Sequence, residues 1–109
     1  MSVIFLPEVR IHFKKIIPIL YEKGYFGFKE TAVKYVDNLF DDIEINLPAC
    51  LHKIAPKHFE KYGKDMYYSG FRKNKNTIWY AFFTKYEKNK EIVYLVRHIE
   101  NNHTAAQYL

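Results

Sequence analysis

A mixed α+β domain is predicted, a short N-terminal strand and an α-helical hairpin followed by a three-stranded antiparallel sheet. Two observations carry this. Apolar residues recur at helical spacing through the first half of the chain, and after about residue 65 they give way to short runs rich in aromatic and β-branched residues. Those later runs are separated by the polar stretches Lys73-Asn74-Lys75-Asn76 and Glu87-Lys88-Asn89-Lys90, which read as tight turns of a meander.

Ser2 to Leu6 is a brief apolar run ended by Pro7, which disfavours helical geometry in the residue before it, so a short strand is expected there. From Val9 onward, Phe13, Ile16, Ile17 and Leu20 fall on one helical face. Pro7 or Glu8 suits the first turn of this helix and Gly24 its stop, whereas Pro18 should kink or end it locally. A second stripe, Ala32, Val36, Leu39, Phe40, Ile43 and Leu47, marks a helix that ends before Pro48. Joined by a short Gly-bearing link, the two should pack as an antiparallel hairpin.

Cys50 to Gly63 lacks a sustained period and reads as a loop with a turn of helix near Lys57 to Lys61. Strands are expected at Met66 to Arg72, Thr77 to Thr84 and Glu91 to His98, and a polar tail from Ile99 to Leu109. The middle run, Ile78 to Phe83, is apolar on both faces, as suits a central strand under a helical layer.

Length and composition narrow the function. At 109 residues, with 49% hydrophobic and 18% aromatic residues, the chain is one domain able to bury a core. The single cysteine, Cys50, has no internal partner, and no run near the N-terminus has the features of a secretion signal, so a reduced, cytoplasmic setting is expected. Apolar runs fall well short of the roughly 20 residues a membrane span needs. Charge is segregated: residues 1 to 49 hold six Lys/Arg against seven Asp/Glu, a net of −1, and the remainder eleven against five, a net of +6. Such a basic C-terminal half favours a polyanionic or acidic partner over ordinary solubility charge.

The local wording of the chain fits this order of elements. Tyr21-Glu22-Lys23-Gly24-Tyr25-Phe26-Gly27 with Ala32 and Val36-x-x-Leu39 resembles the helical hairpin of the RelE/ParE toxin superfamily. The pattern Tyr68-x-x-Phe71-Arg72, Thr77 to Phe83 and Ile92 to His98 resembles its sheet strands. The resemblance spans nearly the whole chain and implies the toxin of a toxin-antitoxin, or plasmid stabilisation, pair, neutralised by a cognate antitoxin protein. In the RelE branch the target is translated mRNA on the ribosome; in the ParE branch it is DNA gyrase.

RNA cleavage by 2′-hydroxyl attack needs a base, cations at the scissile phosphate and an acid for the leaving oxygen. RelE-like enzymes use mainly Lys, Arg and Tyr for this. By position, the corresponding candidates are Arg72, Arg97, His98 and Tyr108 for catalysis, with Lys61, Lys64, Lys73 and Lys75 supplying positive field for nucleic acid. Each has a plainer alternative: Arg72 as a solvated strand end, His98 as a surface histidine, Tyr108 as a packing residue. Arg97, beside apolar strand residues, is the one most in need of an anion, because an unpaired buried cation is costly. Regular strand alternation puts Arg97 and His98 on opposite faces, so both serve one site only if the strand has ended. Glu100 to His103 stands where the RelE-type tail brings an Arg close to an aromatic, which keeps a ParE-like or inactive toxin open. No metal or other cofactor is expected: His52 and His58, or His98 and His103, lack ligand spacing, Cys50 with His52 has no orienting third group, and the four glycines form no phosphate loop.

Overall fold

A computed structural model describes residues 2–22 and 29–109. The class is α+β, and the element order is β1 (Ser2–Phe5), α1 (Pro7–Glu22), α2 (Lys29–Asn46), β2 (Lys53–Ile54), β3 (Tyr67–Asn74), β4 (Thr77–Lys88), β5 (Glu91–Asn101) and α3 (Asn102–Ala105). Single turns of 3-10 helix lie at Leu47–Ala49, Lys57–Tyr62 and Ala106–Tyr108. The expected stop at Gly24 and the Gly-bearing link lie outside the described residues.

Among the described residues the sheet has five strands in the order β1-β5-β4-β3-β2, not three. The β3–β4–β5 meander is its centre, and each flank adds a strand: on one side the expected N-terminal strand, on the other two residues that carry no strand period. β1 lies parallel to β5, with Ser2 opposite Val93 and Phe5 opposite Val96. β2 is two residues inside the expected loop, with Lys53 opposite Tyr68 and Ile54 opposite Tyr67, too short to show alternation. β4 and β5 also run further than expected. Their connection is a two-residue turn at Asn89 and Lys90, both with positive φ (53° and 66°), so Glu87 and Lys88 belong to strand rather than turn.

One face of the sheet carries the helical hairpin. Val9, Phe13 and Ile16 of α1, Val36, Leu39 and Ile43 of α2 and Leu47 of the turn after it are buried against Phe71, Trp79, Ala81, Phe83, Tyr94, Val96 and Ile99. Phe40 stacks on Phe5 at 4.3 Å and meets Phe13 edge-on at 5.4 Å, so the start of α1 lies against the end of α2, the antiparallel arrangement. Each fully buried aromatic or Leu contributes roughly 1.5–3 kcal/mol, which makes this layer the main source of stability. Pro18 does not end α1; the helix continues to Glu22, and both Pro18 and Lys14, whose carbonyl loses its partner, are on the exposed side.

The opposite face is covered in part. Phe59 of the 57–62 turn is fully buried against Phe82, their rings 4.3 Å apart, and Met66 and Ala105 complete this smaller core. The segment expected to be a polar tail is therefore structural: Ile99 is 1% exposed and Ala105 fully buried. Asn102 pins it, accepting from the Ile78 amide (3.1 Å) and donating to the Asn76 carbonyl (3.1 Å). Among the described residues no helix is long and apolar enough to cross a membrane.

Lys90 adopts a left-handed conformation that costs an L-residue with a Cβ roughly 1 kcal/mol or more, and it is exposed. Lys90→Gly is expected to stabilise the fold by about 0.5–1 kcal/mol despite glycine's greater entropy when unfolded. Thermal denaturation checks this as an upward shift of a few degrees, with Lys88→Gly, in ordinary strand, shifting the other way.

Candidate active site on the open face of the sheet

The site is built on an irregularity in β5. Phe82 pairs with His98 and Phe83 with Val96, so Arg97 is an extra residue with no opposite number: a β-bulge. The bulge reverses the alternation. Val96 and Ile99, an odd three residues apart, both lie in the core beneath the helices. Arg97 and His98 consequently both point to the other face, contrary to the expectation from a regular strand.

Both then meet the segment that covers that face. The ring of His98 stacks on Tyr62 at 3.7 Å, with 6° between planes, and touches Phe82 at 5.6 Å. The side chain of Arg97 passes over Gly63, where an added Cβ would sit 2.7 Å from its Cδ. Its Nε donates to Thr84 Oγ1 at 3.1 Å, and its two terminal nitrogens have no hydrogen-bond partner among the described residues. They are available to an oxyanion. Lys61 lies with its Nζ 5.4 Å from the centroid of Tyr62, on the same segment, and its charge reaches His98.

His98 has the geometry of a base. Its Nε2 lies 2.7 Å from Glu100 Oε1, two residues along the same face. A carboxylate only accepts, so Nε2 carries the proton and the lone pair is on Nδ1. Burial lowers the His98 pKa below its ordinary 6.5; Glu100, by hydrogen bond and charge, raises it, and His12 and Lys61 lower it further. The balance is downward, so the ring is neutral at pH 7 and able to take a proton. His12 of α1, centroid 6.4 Å from His98, has a lowered pKa too, through burial and then Lys15 against the opposing pull of Glu100.

The other expected residues are elsewhere. Arg72 is exposed, and its guanidinium Nη1 donates to the carbonyl of Lys75 (3.0 Å) and, at longer range, of Asn74 (3.5 Å), so it ties down the β3–β4 turn. It pairs with Ile78, six residues along β4 from the Thr84 that holds Arg97. At about 3.4 Å per residue that is about 20 Å, too far for one phosphate. Lys73 sits with its Nζ 5.5 Å from the Tyr35 ring and Lys75 is in the exposed turn, so both belong to the Arg72 end. Lys64 is exposed in the turn before β3. Tyr108 lies flat on His58, 3.5 Å away and 4° from parallel, and edge-on to Phe59 at 6.3 Å, which is the packing alternative.

Five partners escape a reading of the sequence: His12, Tyr62, Gly63, Thr84 and Glu100. Only Glu100 had a signal, its two-residue spacing from His98, hidden by ending the strand at His98. Among the described residues no group of three His, Cys, Asp or Glu is placed to hold a metal.

Replacing Thr84 by Val removes the single acceptor of Arg97 Nε and should cost about 1 kcal/mol. In a proton–nitrogen NMR spectrum the Arg97 Hε resonance should lose its protection from solvent exchange, while the fold persists; an unchanged Hε would place the guanidinium elsewhere. Compared with known proteins, the chain matches no family model, no curated protein and no solved structure.

Proposed function

We propose that this chain is an RNA-cleaving toxin of the RelE type, the toxic partner of an antitoxin protein, acting on translated mRNA. The observation that carries the reading is the β5 bulge, which gathers on one face an arginine with a free fork, a neutral histidine held by a carboxylate, and a nearby lysine. These are the groups that metal-free cleavage by an RNA 2′-hydroxyl requires. Support also comes from the element order, a strand and helical hairpin before an antiparallel meander, and from the net +6 of residues 50 to 109.

In the proposed reaction the terminal nitrogens of Arg97 hold two oxygens of the scissile phosphate, a bidentate contact suited to a planar guanidinium. Lys61 adds charge as the pentacoordinate phosphorane develops. His98 Nδ1 takes the proton from the attacking 2′-hydroxyl, and Glu100 stabilises the imidazolium so formed through Nε2–H. The product is a 2′,3′-cyclic phosphate and a free 5′-hydroxyl, the leaving oxygen taking its proton from water or Lys61. Inhibition of gyrase, the non-enzymatic alternative, would need none of this cluster.

Primer extension on cellular mRNA shortly after inducing the chain should show cuts within translated codons. Arg97→Ala should reduce them by about a hundredfold or more, and a small acidic antitoxin co-expressed with the chain should suppress them. Intact mRNA beside growth arrest would reject the reading. In single-turnover cleavage the rate should rise with pH and level off above the His98 pKa, which lies below 6.5, because the base must be neutral. His98→Gln should lose about 10²–10⁴-fold and abolish that limb; a limb that survives would assign the base to another group.

A further inference from the structure

On the α1 side of His98 the structure has a cleft of about 640 Å³, walled by Ile16 and Ile19 of α1, Tyr35 of α2, Trp79 of β4 and Ile99 of β5. It exists because β1 stops at Phe5. Among the described residues the outer edge of β5 beyond Val96 has no strand beside it, and α1, which starts there with the Leu6 amide bonded to the Val96 carbonyl, runs past it instead. A helix cannot close on a strand edge as another strand does, and the gap stays open. The volume is within the usual range for sites that take small molecules, which combine apolar walls with a few convergent polar groups.

The walls are apolar, three isoleucines with one tryptophan and one tyrosine. Trp79 is 5% exposed, its Nε1–H donating to the Tyr35 hydroxyl at 3.0 Å, so the indole is fixed edge-on by the tyrosine. The polar groups include His12, Thr77, Asn101 and His103, a mixture of donors and acceptors, with a single carboxylate, Glu100. The lowered pKa values of His12 and His98 keep both rings neutral, so they offer directional hydrogen bonds rather than charge. A long aliphatic chain would leave these groups unsatisfied; a planar nitrogen heterocycle matches them. At one end stands His98, whose ring also packs on Tyr62 beside Lys61 and next in sequence to Arg97. The cleft thus ends at the histidine ring that packs on the segment bearing Lys61.

We infer that this cleft binds the base of a nucleotide, with its phosphate directed past His98 toward Arg97 and Lys61. Under the proposed function, on which the choice of ligand class rests, the base is that of the nucleotide bearing the attacked phosphate. A free nucleotide shares the same chemistry.

Trp79 is the only tryptophan in the sequence and lines the cleft, so its emission reports occupancy directly. The folded chain is titrated with guanosine, adenosine, their monophosphates, inorganic phosphate and a short single-stranded RNA. Saturable changes with nucleosides, tighter for the monophosphates, are expected, and none with inorganic phosphate. Tighter binding of the RNA identifies a strand as the natural source, equal binding a free nucleotide. Ile19→Glu, at a 48% exposed position on the cleft wall, should weaken binding by at least about tenfold by putting a charge into the apolar wall that holds the base. Ile54→Glu, the same change at an 80% exposed position on β2, should leave it unaltered. Absence of saturation, or equal binding by Ile19→Glu, would overturn the inference. Nucleoside binding with intact cellular mRNA would keep the cleft and reject the ribonuclease; cleavage without nucleoside binding, undiminished in Ile19→Glu, would do the reverse.

Discussion

The one-residue bulge at Arg97 decides what the open face of the sheet presents. In a regular strand, Arg97 would lie beside Leu95 while His98 turned under the helices. A histidine there would displace apolar packing, and Ile99 would be turned out to solvent. The bulge keeps Ile99 in the main core and delivers two adjacent polar residues to the same side. Packing therefore enforces the site: reversing the bulge would expose Ile99 and bury His98, each at a cost of order 1–3 kcal/mol. The functional geometry is held by the hydrophobic core, not by polar contacts alone.

The 57–62 turn completes the arrangement. Phe59 anchors it on Phe82, and this places Tyr62 flat against His98 and Gly63 beneath Arg97. Gly63 is required by closeness, since any side chain would press on the arginine stem. Thr84 then sets the direction of the guanidinium by taking only Nε, which leaves the fork outward. On the far side of His98 the end of β1 creates the cleft. The His98 ring thus stands between the Lys61-bearing segment and the cleft, next in sequence to Arg97.

Much of the frame was legible in the sequence. Val9, Phe13 and Ile16 of the first stripe and Ala32, Val36, Leu39, Ile43 and Leu47 of the second are buried, with Ile17 and Phe40 partly so and Leu20 outside the described side chains; α2 ends at Asn46 before Pro48, and the turn of helix at Lys57 is present. What escaped follows from physical causes. β1 is the short strand expected at the N-terminus, but its pairing with β5 is made by backbone bonds, and β2, two residues long, shows no side-chain period at all. The tail seemed polar because its two anchors, Ile99 and Ala105, are single apolar residues among polar ones, and Asn102 works through both its donor and its acceptor. For the site, Arg97, His98 and Lys61 come together, whereas Arg72 and Tyr108 serve a turn and a packing contact. A bulge has no sequence period of its own, so alternation separated the two residues that the fold joins.

The most direct test is a set of nuclear Overhauser contacts in the free protein. The bulge predicts that Arg97 Hδ protons lie against the Gly63 Hα protons and, in the same molecule, that His98 ring protons lie against those of Tyr62. Both contacts, with Ile99 methyls touching the α1 side chains, would establish the shared face. A spectrum in which His98 contacts the α2 core while Arg97 keeps its contact with Gly63 would mean a regular strand, and would contradict the account.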